Sequence, residues 1–67
     1  MRTINQRVYE ASDNNGFEVT GIASTKNMTI VDLKKEPNTF FRITIETDSD
    51  VDKMEKAMVD SYFKAKE

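Results

Sequence analysis

The sequence predicts a small α+β domain of order αβββα. Three observations carry this reading: a helix-capping signature at residues 3–6, three short alternating segments between residues 17 and 47, and a change of hydrophobic period after Ser49. The expected architecture is a three-stranded antiparallel meander, with the N-terminal and C-terminal helices packed on one face as a single domain over 1–67.

The first element opens with "TINQ". Thr3 can accept from the N–H of residue 6 while Gln6 reaches back to the N–H of Thr3. Ile4, Val8 and Ala11 follow at helical spacing, and Gly16 stands where a helix-terminating glycine belongs. The rival reading is a hairpin, because "DNNG" is strong turn chemistry and "RVYEAS" could pair with "FEVTGIAS" across it.

Residues 17–25 read as a strand in which Phe17 and Val19 alternate with Glu18 and Thr20, and Gly21 marks a bulge or a close backbone approach. Residues 28–35, "MTIVDLKK", form the second strand. "EPNT" is a turn with Pro37 at its second position. In the third strand, 40–47, Phe41, Ile43 and Ile45 line one face and Arg42, Thr44 and Glu46 the other. Phe40 and Phe41 are adjacent, so one of them must leave the core.

From about 50 to 65 the period becomes 3.6. Val51, Met54, Met58, Tyr62 and Ala65 form a stripe that Val59 and Phe63 widen. Ser49 is the expected N-cap, with Asp52 in the reciprocal position. Asp50 and Asp52 in the first turn, and Lys64 and Lys66 in the last, suit the helix dipole.

Composition narrows the function classes. The chain has 67 residues and no cysteine, histidine or tryptophan. A domain of this size buries only about 60% of the surface that its unfolded chain exposes. No thiolate or imidazole is available to bind a metal or to act as a base near neutral pH. The net charge of −2 argues against a direct nucleic-acid binder. No apolar run reaches the ~18 residues of a membrane helix, and "MRTINQRVYE" is too polar for a signal peptide. A cytoplasmic protein without a cofactor is the expectation.

The charge is unevenly placed. Residues 1–45 carry a net of +1 and residues 46–67 a net of −3. The acidic excess gathers in "TDSDVDKMEKAMVD". A calcium loop starting at Asp48 would place its oxygens at Asp48, Asp50 and Asp52. It would also need a glycine where Lys53 stands and a glutamate where Val59 stands, so this reading fails. Catalysis is not expected either. No serine sits in a nucleophile elbow, no glycine-rich phosphate loop is present, and a chain this short rarely encloses a cleft between paired carboxylates.

The αβββα order resembles that of double-stranded RNA-binding domains. Those domains aim a lysine-rich cluster at phosphates from the start of the second helix. Here that place reads "SDVDKMEKA", where Asp50, Asp52 and Glu55 surround Lys53 and Lys56 and would repel a phosphate backbone. Topology alone is shared. In build the chain also resembles small phage and mobile-element proteins, including some anti-CRISPR inhibitors: short, cysteine-free, a β-meander, a terminal helix and an acidic bias. That resemblance implies a non-catalytic protein whose acidic surface occupies a basic, nucleic-acid-binding surface of a larger protein. Its candidate contacts are Glu46, Asp48, Asp50, Asp52 and Glu55. The alternative is a self-assembling homodimer held by the apolar residues Phe40, Val59 and Phe63.

Overall fold

The computed structural model describes residues 3–66 and has the expected order: α1 (Ile4–Asn14), β1 (Glu18–Ser24), β2 (Met28–Lys35), β3 (Thr39–Glu46) and α2 (Val51–Lys66). The strands form one antiparallel sheet in the order β1-β2-β3, with α1 packed on β1 and α2 on β3.

The helix reading of the N-terminal segment holds over the hairpin. Gln6 N–H donates to Thr3 Oγ1 at 3.2 Å, and Thr3 N–H donates to Gln6 Oε1 at 2.9 Å. These two bonds satisfy donors that a helix start would otherwise leave open. The "DNNG" turn chemistry serves the other end of the same helix. Gly16 adopts φ 72°, and Phe17 N–H bonds back to Ser12 O at 2.9 Å. The left-handed conformation suits glycine and terminates the helix. That backbone bond also explains why β1 starts at Glu18 rather than at Phe17, whose ring turns into the core.

In β1 the register with β2 shifts between Val19 and Gly21, so the anticipated bulge is present there. The turn after β2 spans 36–38 with a cis Glu36–Pro37 peptide, and β3 begins one residue earlier than expected, at Thr39. The two faces of β3 divide as the alternation requires. Ile43 and Ile45 are buried and Phe41 is half-buried, whereas Phe40 on the outer face is 61% exposed.

The core joins Val8 and Ala11 of α1, Phe17, Val31, Leu33, Ile43, Ile45, and Met54 and Met58 of α2. The stripe on α2 is shorter than its sequence pattern. Tyr62 still meets Phe17 and Phe41, with ring centroids at 5.5 and 5.9 Å, but Ala65 is exposed and Phe63 is 57% exposed. Helical packing on the sheet therefore ends with Tyr62.

The N-cap of α2 is Asp50, not Ser49. Asp50 Oδ1 accepts from Lys53 N–H at 2.9 Å, and its carbonyl accepts from Met54 N–H at 3.1 Å. Ser49 is drawn into other work: it is buried, its N–H donates to Glu46 O, and its carbonyl accepts from Arg7. Asp50→Ala should therefore lower stability by about 1 kcal/mol. In a domain of this size that is a drop of about 4–8 °C in melting temperature. Asp52→Asn removes only a favourable dipole interaction and should cost less than about 1 kcal/mol. Thermal melts of the two variants side by side check the assignment.

Candidate functional site

The site is the handover from β3 to α2, where the acidic residues of the C-terminal third are concentrated. Its backbone is tied down from several directions. Thr47 N–H donates to Asn27 O at 3.0 Å, and Thr47 Oγ1 donates to Thr25 O at 2.9 Å. A chain of hydroxyls runs from Ser24 to the buried Thr29 at 3.1 Å and on to Thr47 at 2.9 Å, so β1, β2 and the residue that follows β3 are joined at this end. From α1, Arg7 reaches across. Its Nη2 donates to Thr47 O at 2.8 Å and its Nε to Ser49 O at 3.1 Å. These charge-assisted bonds occupy carbonyls that belong to no strand or helix.

On this held backbone the five predicted residues have different fates. Asp50 is consumed by the cap. Glu55, half-buried, accepts from Asn15 Nδ2 at 3.1 Å and so links α2 to the end of α1. Glu46, Asp48 and Asp52 are exposed, and among the described residues their side chains have neither a hydrogen bond nor an ion pair.

Nor do the five share one surface. Glu46 and Asp48 border a shallow cleft with Lys26, Asn27 and Met28 of the β1–β2 turn. Asp50, Asp52 and Glu55 border a second cleft, between the helices, with Arg7, Glu10 and Asn14. The five residues expected along a single edge are thus divided between two clefts. Arg7, Glu10 and Lys26 were not legible as part of either. Only the docking of α1 against α2 and the placement of the β1–β2 turn bring them there, and no local pattern encodes that.

Among the described residues, no group of three or more Asp or Glu side chains is arranged to hold a metal ion. None of the described helices is long and apolar enough to cross a membrane. The basic residues of the sheet are engaged. Arg42 Nε donates to Asp32 Oδ1 at 2.6 Å, and that bond, then the charge of Asp32, raises the pKa of the guanidinium above its ordinary value. The pair is well exposed, so water screens most of its contribution to stability. Lys35 Nζ lies over the rings of Phe17 and Tyr62, at 4.9 and 5.4 Å, and donates to Asn15 O at 3.0 Å. Lys34 lies over Phe40 at 5.7 Å.

The apolar trio of the homodimer alternative is divided. Phe40 lies on the outer face of the sheet, whereas Phe63 and the half-buried Val59 belong to the helix layer on the other side.

No protein-family model, curated protein or solved structure matches this chain.

Proposed function

We propose that this chain is a non-catalytic protein-binding module whose acidic handover segment occupies a basic, nucleic-acid-binding surface on a larger protein. The observation that carries the reading is the state of Glu46 and Asp48. The backbone on either side of Asp48 is held at Thr47 by Asn27 of the β1–β2 turn and at Thr47 and Ser49 by Arg7 of α1, yet the carboxylates of Glu46 and Asp48 are exposed and without an ion-pair or hydrogen-bond partner among the described residues. Free carboxylates on a fixed backbone are pre-organised for a cationic partner, because little conformational freedom remains to be lost on binding. Capping accounts for Asp50 and the tie to Asn15 accounts for Glu55, so those two serve the fold first. Asp52 adds charge beside them.

The test uses a partner captured from the native host. Glu46→Gln with Asp48→Asn should leave the melting temperature nearly unchanged, because surface changes away from caps stay within about 0.5 kcal/mol. The same pair of changes should slow association at low salt and flatten its salt dependence, since exposed complementary charge acts mainly on encounter. Association that is unchanged at low salt would reduce this segment to solvated surface.

A further inference from the structure

The two edges of the sheet are not alike. β1 carries the register shift at Val19 and Gly21, which bends an edge and spoils it as a template. The β3 edge has no such guard. Its eight residues pair with β2 in unbroken register from Met28↔Glu46 to Lys35↔Thr39, and it contains no proline.

Which backbone groups face the open side follows from one bond. Thr47 N–H donates to Asn27 O, the residue that opposes it when the Met28↔Glu46 register is continued. Hydrogen-bonded and non-bonded pairs alternate along an antiparallel ladder. Ile45, Ile43, Phe41 and Thr39 therefore turn their N–H and C=O toward β2. Thr44, Arg42 and Phe40 turn theirs to the open side, as does the N–H of Glu46, whose carbonyl already accepts from Ser49 N–H.

A second copy paired antiparallel to this edge, with its helices on the same face, does not fit. α2 packs on β3 itself. Two copies paired edge to edge would bring their α2 helices about one strand spacing apart, ~4.8 Å. Packed helices need about 8–10 Å. A strand with no helix layered over it meets no such crowding.

The side chains around the edge narrow the occupant further. Glu55 marks the flank of α2 that faces α1. The opposite flank, roughly half a turn round the helix, presents Ala57 and Ser61, both small and half-buried, toward the open side of β3. On the outer face, Arg42 uses only Nε toward Asp32, and its remaining donors are free among the described residues.

We propose that the open edge of β3 accepts an extended segment of a partner protein as a fourth strand, with β-branched side chains against Ala57 and Ser61 and an acidic side chain beside Arg42. This goes beyond the acidic-segment reading, because it rests on backbone groups and on a cation rather than on the carboxylates of Glu46 and Asp48. Backbone bonds would supply affinity and the alternating side chains would supply selectivity.

The probe is a blocked nonapeptide alternating valine with threonine and carrying a central glutamate, titrated into the full chain while backbone amides are followed by NMR. The amides of Phe40, Arg42, Thr44 and Glu46 should shift and exchange more slowly, and a lysine-for-glutamate twin should bind several-fold more weakly. Thr44→Pro deletes an N–H that faces the open side, a position where an edge strand tolerates proline. It should weaken binding by about tenfold or more while the β1–β2 amides stay in place. A peptide N-methylated along its bonding edge should likewise lose binding to the unaltered protein, which keeps the test valid if the Thr44→Pro chain does not fold. Shifts centred on Ala23, Met28 and Ile30, or undiminished binding of the N-methylated peptide, would overturn the proposal. So would a sedimenting dimer that Thr44→Pro converts to monomer, since the occupant would then be a second copy.

Discussion

Met54→Ala should cost about 2–5 kcal/mol of folding stability, the range for emptying a buried large side chain. A chain of 67 residues has only roughly 3–10 kcal/mol in total at the usual stability per residue. The variant should therefore lose much of its stability and melt far below the parent. Met54 is fully buried in the cluster shared by α1, the sheet and α2, so its neighbours can only partly close the space it leaves. Phe63→Ala supplies the contrast on the same helix. The larger ring is mostly in water, and its removal should cost about 1 kcal/mol or less. A denaturant titration of both variants separates the two cases. Equal losses would mean that α2 is not seated on the sheet as described.

Arg7→Ala should be the second most damaging change, at about 2–3 kcal/mol, although the residue is polar and lies far in sequence from what it holds. Its side chain serves the carbonyls of Thr47 and Ser49, and hydrogen bonds to charged groups contribute about 1.5–3 kcal/mol. Ser49 is buried, so without Arg7 its carbonyl would lose a partner in a place that water reaches poorly. Arg7→Lys should rescue little of the loss. An ammonium carries its donors on one atom and lacks the planar fork that sends Nε and Nη2 to two separate oxygens. Thermal melts of the two variants test this, with the amide signals of residues 47–50 as a local readout. Full rescue by lysine would show that charge alone matters at this position.

Much of the fold was legible because its signals are local and mutually consistent. The Thr3–Gln6 capping box, the alternation in β3 and the Met54–Met58 spacing each name their element without help from the rest of the chain. "DNNG" was ambiguous because the same residues can close a hairpin or end a helix. The capping box at Thr3 tips the balance, and Gly16 at φ 72° shows the outcome. The N-cap of α2 was misplaced by one residue for a tertiary reason. Ser49 and Asp50 are both good caps, and Arg7, distant in sequence, claims the Ser49 carbonyl.

The candidate site was legible only as composition. The run of carboxylates was plain, but its division into two clefts follows from where α1 and the β1–β2 turn come to rest. Glu55 shows the limit well: in sequence it is one more acid, and in the structure it is a tie between helices. Lys34, Lys35 and Arg42 are three cations of the sheet that no local pattern tells apart. Yet Lys35 is held between aromatic rings and Arg42 bonds across the sheet to Asp32.

The proposal that the segment bearing the exposed carboxylates of Glu46 and Asp48 occupies a basic, nucleic-acid-binding surface of a partner is tested most directly by competition. The partner captured from the native host is loaded with a labelled nucleic acid, and this chain is titrated in while the label is followed by fluorescence anisotropy. The unaltered chain should displace the nucleic acid, and Glu46→Gln with Asp48→Asn should do so at least about tenfold less well at low salt. If the partner holds the nucleic acid and this chain at the same time, or if the double variant competes as well as the parent, the account is contradicted.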